Sequence, residues 1–133
     1  LENEEKISVL RFLEKAKSAL DDAEFNTENN RYNTALIRIY YSIFYSVMSL
    51  GYLDNFITSK HKQLMGWFNK KYIYEEKIFD ENLSKIYKEA YENRMESDYE
   101  TSLLISKEEI SANIDKAKVF VNTLLEYIYK KLK

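Results

Sequence analysis

The sequence predicts an all-α chain, folded as an up-and-down bundle of about five helices, and three observations carry that prediction. Its 133 residues hold two glycines and no proline, the usual punctuation of β-rich folds. Apolar residues recur at spacings of three and four along most of the chain, which lines them up on helical faces. Hydrophobic residues make up 45% and charged residues 32%, a globular balance in a chain long enough to bury a core unaided. Residues 1–133 are read as a single domain.

The first helix is expected over about residues 4–25, with Ile7, Leu10, Leu13, Ala16, Leu20 and Ala23 on its inner face. Asn26-Thr27-Glu28-Asn29-Asn30 reads as a polar turn. The second helix, about 31–51, carries two apolar stripes. One is Tyr32, Ala35, Leu36, Ile39, Ile43, Val47 and Leu50; the other is Ile37, Tyr40, Tyr41, Phe44, Tyr45 and Met48. A helix apolar over most of its girth is central in a bundle or covered by a partner. Its remaining stripe, Arg38, Ser42, Ser46 and Ser49, is small enough to admit a close neighbour, and Gly51 is expected to end the helix.

Residues 52–58 read as a connection, with Thr58 or Ser59 capping a short third helix that carries Leu64, Met65, Trp67 and Phe68. Residues 70–77 are expected to form a loop. A fourth helix runs from about Asp80 to Arg94, with Leu83, Ile86, Tyr87, Ala90 and Tyr91 inward, and residues 96–100 break its pattern. Ser106-Lys107-Glu108-Glu109 is a capping box. The last helix follows it, with Ile110, Ile114, Ala117, Val121, Leu124 and Ile128 in seven-residue rhythm. The surplus apolar surface on the second helix predicts a homodimer.

Composition removes several kinds of chemistry. There is no cysteine, so disulfides and thiolate metal sites are out, and a single histidine, His61, cannot build a multi-histidine zinc site. A net charge of −2 argues against electrostatic wrapping of nucleic acid but leaves room for a local basic site. No apolar run approaches the roughly 20 residues that span a bilayer. The start, Leu1-Glu2-Asn3-Glu4-Glu5-Lys6, lacks a basic or apolar leader, so no signal peptide is expected and the cytoplasm is the default location. No phosphate-binding loop, dinucleotide fingerprint or metal-binding carboxylate cluster is present, and neither a metal nor a cofactor is expected.

Three segments carry a resemblance. Asn33-Thr34-Ala35-Leu36-Ile37-Arg38-Ile39-Tyr40-Tyr41-Ser42-Ile43-Phe44-Tyr45 resembles the A…R-x-YY-x-x-F signature of one branch of the HEPN family, the small helical nucleotide- and RNA-associated domains of prokaryotes. Ser59-Lys60-His61 follows, ahead of a short apolar helix with Trp67-Phe68. Arg94-Met95-Glu96-Ser97-Asp98-Tyr99 resembles that branch's R…DY ending. The resemblance spans roughly residues 5–130 in the family's order. It implies a dimer, an RNA or nucleotide ligand, and a toxin–antitoxin-like pairing with a minimal nucleotidyltransferase.

Better-known members of the family cleave RNA with an arginine followed four to six residues later by histidine. Here Arg94 meets Tyr99 at that place, and His61 lies 33 residues before Arg94. The residue two beyond Tyr99 is Thr101, so the tyrosine that receives AMP in some relatives is unmatched. The resemblance implies that, if RNA is cut, the reaction is a metal-independent transesterification, with Arg94 holding phosphate and Asp98 and Tyr99 as proton carriers or orienting groups. The alternative is a non-catalytic dimeric nucleotide-binding or adaptor module; a purely structural oligomer is the third reading.

Each candidate also has a plain structural account. Arg94, Asp98 and Tyr99 suit a phosphate clamp with proton carriers, or a salt bridge and loop anchor at a helix end. Tyrosine titrates near ~10 against ~6.5 for histidine, which makes Tyr99 a poor replacement. His61 and Lys60, at a helix start, suit phosphate binding or plain solvation, and His61 gains weight if folding sets it beside Arg94. Arg38 is either an internal ion pair, with Asp98 or a glutamate of another helix, or a second phosphate ligand in the Arg94 cleft. Tyr40, Tyr41 and Tyr45 are read chiefly as core and interface, with base stacking as the other use.

Overall fold

The computed structural model describes residues 2–98 and 105–133. Five α-helices form the bundle: α1 (Asn3–Glu28), α2 (Tyr32–Leu53), α3 (His61–Phe68), α4 (Glu81–Asp98) and α5 (Lys107–Leu132). A π-helical stretch, Asn69–Glu75, continues α3. No strand occurs among the described residues, and no described helix is long and apolar enough to cross a membrane.

As its two stripes require, α2 is the central helix. It packs against α1, α3, α4 and α5. Ala35, Leu36, Ile39, Ile43, Val47 and Leu50 are buried, and so are Tyr40 and Phe44 from the second stripe. Ile37, Tyr41, Tyr45 and Met48 stay half-buried along the remaining edge. Ser42, Ser46 and Ser49 are buried too, and each hydroxyl donates to a carbonyl: those of Ile39, Ile43 and Val9 respectively. These small side chains, with Ala16, Ala19 and Ala23 of α1, let the two helices approach closely.

Several expected boundaries shift, each for a local reason. In α1 the inner face is Val9, Leu13, Ala16, Leu20, Ala23 and Thr27, whereas Ile7 is 54% exposed and Leu10 37%. The helix also runs through the expected turn to Glu28. Arg31 N–H bonds to the Asn26 carbonyl and Asn30 N–H to that of Thr27, closing it with Asn30 at φ 61°. Gly51 is not the stop, since α2 continues to Leu53. Asn55 takes the left-handed position, and Phe56 N–H returns to the Gly51 carbonyl. Glycine is needed at 51 for another reason: a Cβ there would lie 2.4 Å from the Phe56 carbonyl oxygen.

The segment expected as a loop at 70–77 is mostly the π-helical stretch. Its Tyr72 and Ile73 are buried. The Tyr72 hydroxyl donates to Asp54 Oδ2, and Lys71 Nζ lies 3.1 Å from the same oxygen, so the stretch is tied back to the end of α2. Further on, α4 extends past Arg94 to Asp98. The capping box holds: Ser106 Oγ accepts from Glu109 N–H at 3.1 Å to start α5. Helices α1 and α5 lie antiparallel, with Lys118 on Glu24 at 2.8 Å. At the other end of the pair, Asn3 and Lys6 share an open groove of about 680 Å³ with Lys131 and Leu132.

Candidate functional site

The three segments that carried the resemblance meet at one place. From α2 come Tyr40, Tyr41 and Phe44, which share a face because they sit at i, i+1 and i+4. From the first residue of α3 comes His61, and from α4 comes Arg94. The Arg94 guanidinium carbon lies 5.6 Å from the Tyr40 ring centre and 5.7 Å from that of Tyr41, cation–π distance for both. Tyr91, one turn before Arg94 on α4, sets its ring edge against Tyr40 at 5.7 Å.

The imidazole of His61 is held on three sides. Its ring stacks on Phe44 at 4.2 Å with 9° between planes, and Tyr41 meets it edge-on at 5.8 Å. Its Nδ1 shares a 2.6 Å hydrogen bond with the hydroxyl of Tyr40, a residue with no exposure. Arrival at α3 is set by Thr58 rather than by a side-chain cap on the helix itself. Lys60 is the N-cap residue and its N–H donates to Thr58 Oγ1, whose hydroxyl in turn donates to Gln63.

Electrostatics follow from this packing. Burial, and then the Arg94 charge, lower the pKa of His61 below its ordinary 6.5, so the imidazole is neutral at pH 7. Burial pushes the Tyr40 hydroxyl well above its ordinary value despite Arg94, so it keeps its proton. Among the described residues the cluster thus sets a neutral imidazole and a guanidinium on the same pair of tyrosine rings.

Arg38 belongs to the rim of the same site. Its guanidinium carbon lies 5.7 Å from the Tyr41 ring centre, the same distance as that of Arg94, so two guanidiniums address one ring. Its Nε is 3.7 Å from Asp22 Oδ2 on α1, so the expected ion pair exists, with a partner that is neither Asp98 nor a glutamate. Lys60 is exposed, and the contacts described for it are those of its backbone. Tyr99 and the side chain of Asp98 lie outside the described residues. No group of three or more His, Cys, Asp or Glu able to hold a metal occurs among the described residues.

Phe44, Tyr91 and the pairing of Tyr40 with His61 were not singled out as functional from the sequence. The available signal was the spacing Tyr40-Tyr41-x-x-Phe44, which presents three rings to whatever packs beside them.

Comparison with known proteins identifies the family. A family profile described as "HEPN domain" matches residues 9–128. A Methanocaldococcus jannaschii protein named "Putative toxin" is 31% identical over 91% of this chain and 82% of its own length. A second protein of that name from the same organism is 30% identical over 84% of this chain and 82% of its own. A Thermotoga maritima "UPF0332 protein" is 29% identical over 95% of each. With the profile covering both ends of the site and every helix that builds it, this chain belongs to the HEPN family.

Proposed function

We propose that this HEPN protein is the RNA- or nucleotide-binding toxin component of a toxin–antitoxin-like pair. It acts as a homodimer, and its partner is a minimal nucleotidyltransferase. The observation that carries the reading is the position of Arg94, held over Tyr40 and Tyr41 and close enough to His61 to depress its pKa. A guanidinium so placed binds phosphate bidentately and offsets the charge that grows on a phosphorane-like transition state. The half-buried ring of Tyr41 beside it, with that of Tyr45 next to Tyr41, suits a nucleobase or a second copy of the chain. The toxin role takes its support from the names borne by the two archaeal relatives.

The test is cleavage of a labelled mixed-sequence RNA in the presence of chelator, comparing wild type with Arg94→Ala. Cleavage by wild type alone, leaving a 2′,3′-cyclic phosphate, is the expected result. Growth arrest on expression, relieved by Arg94→Ala, is expected in parallel. A monomeric mass by light scattering at tens of micromolar would sink the homodimer. The second reading, a non-catalytic nucleotide-binding or adaptor module, is favoured by the tyrosine at position 99 where cleaving relatives place histidine. Binding of RNA without cleavage would establish it.

A further inference from the structure

The helix that carries Arg94 offers no histidine, yet the only imidazole of the chain packs on Tyr40 and Tyr41, the two rings that the Arg94 guanidinium also meets. We infer that His61, reaching the site from α3, is the catalytic proton carrier of the Arg94 centre and that Tyr40 is the residue that positions it. This rests on the reading of Arg94 as the phosphate ligand. The geometry leaves the imidazole little choice of pose: Phe44 covers one face, Tyr41 meets it edge-on and Tyr40 fixes Nδ1. Nε2, on the far side of the ring from Nδ1, is the nitrogen left for a ligand.

A histidine that is merely solvated needs none of this. It would not be stacked at 4.2 Å or bonded to a fully buried tyrosine hydroxyl. Neutral at pH 7, His61 is ready to accept a proton. In the reacting tautomer Nδ1–H donates to Tyr40 Oη, and that bond persists when Nε2 is protonated, so the ring does not turn during the transfer. Nε2 takes the proton of the RNA 2′-hydroxyl as O2′ bonds to phosphorus. The P–O5′ bond breaks, and the departing 5′-oxygen takes a proton from water. The imidazolium then returns its proton to the hydroxide so formed. Among the described residues, the Arg94 guanidinium from α4 bears on the ring, the Tyr41 ring meets it edge-on from α2, and Lys60 and Lys62, both exposed, flank it in sequence.

The experiment uses wild type, His61→Gln, Tyr40→Phe and Arg94→Ala. Cleavage of a labelled RNA is followed from pH 5 to 9, together with binding of the same oligonucleotide made uncleavable by 2′-deoxy substitution. Because His61 is the only histidine, ¹⁵N spectra of the imidazole report its tautomer and titration without assignment. His61→Gln should lower cleavage by about 100-fold or more, the scale of one acid–base group, while keeping the binding of the deoxy analogue. The wild-type rate should rise with pH and level off at the imidazole pKa seen in the spectra. Tyr40→Phe should reduce cleavage roughly tenfold, the scale of one hydrogen bond, and abolish the single-tautomer signature.

Undiminished cleavage by His61→Gln would overturn the inference and leave the Arg94 reading standing. So would binding by wild type with no cleavage at all. Absence of both binding and cleavage would overturn the two together. Imidazole spectra unchanged in Tyr40→Phe would remove Tyr40 from the account.

Discussion

Ser49 ties α2 to α1: its hydroxyl donates a 2.7 Å hydrogen bond to the carbonyl oxygen of Val9, and both residues have no exposure. The bond does two things. It satisfies a buried hydroxyl, and it fixes which face of α1 turns inward, so that Val9 rather than Ile7 enters the core. Ser49→Ala should cost about 1 kcal/mol. Ser49→Leu should cost more, because a closely packed interface would have to accept extra methylenes. Urea midpoints of the two variants check this, and a Ser49→Leu variant as stable as wild type would refute the close approach.

The two glycines should respond to alanine in opposite directions. At Gly51 the new Cβ would lie 2.4 Å from the Phe56 carbonyl oxygen, so the turn after α2 must shift and stability must fall. Gly66 has no atom within 4 Å of the added carbon and sits inside α3 on an exposed face. Gly66→Ala should raise stability by about 0.5–1 kcal/mol through helix propensity. Thermal melts of the pair decide the matter.

Acid should weaken the fold through His61. Unfolded, the residue titrates at its ordinary 6.5; folded, it titrates lower. Between those values the unfolded chain binds more protons, so stability falls as pH drops through that window. The contribution is fully present above 6.5 and fully lost below the folded value. His61→Gln should therefore show a shallower loss of stability between pH 7.5 and 5.5 than wild type. Arg94→Ala, which removes the smaller of the two causes, should fall between them. Parallel curves for wild type and His61→Gln would contradict the depressed pKa.

Ser106→Ala should cost about 1 kcal/mol, since Ser106 Oγ accepts the Glu109 N–H at the start of α5. Ser106→Asp should restore most of that loss. Equal urea midpoints for wild type and Ser106→Ala would mean that the cap contributes nothing.

What could be read from the chain, and what could not, divides on physical grounds. The capping box and seven-residue rhythm of α5, and the two-sided apolar character of α2, are local patterns that survive folding unchanged. On α1 the expected Leu13, Ala16, Leu20 and Ala23 do face inward. The difference is confined to its first turns, where Val9, whose carbonyl bonds to Ser49 40 residues on, is buried and Ile7 and Leu10 are not. The π-helical stretch is not legible because its anchor, the Tyr72 hydroxyl on Asp54, depends on another segment of the chain. At the site, Arg94 and His61 were legible as single residues. Their meeting is not, because it depends on Tyr40 and Phe44 of α2, whose apolar stripe gives no sign that they hold an imidazole from another helix.

The groove shared by Asn3, Lys6, Lys131 and Leu132 places the start of α1 against the end of α5. The order in which the helices follow one another along the chain is thus separable from the way they pack. A short flexible peptide joining residue 133 to residue 2, with the chain reopened in the exposed turn at Asn29–Arg31, would give a circular permutant in which α1 is read last. Of the contacts described at the site, the Arg38–Asp22 pair joins residues on either side of that cut, and the ring and guanidinium contacts of Tyr40, Tyr41, Phe44 and His61 lie on one side of it. The permuted protein should fold to the same bundle and present the same site.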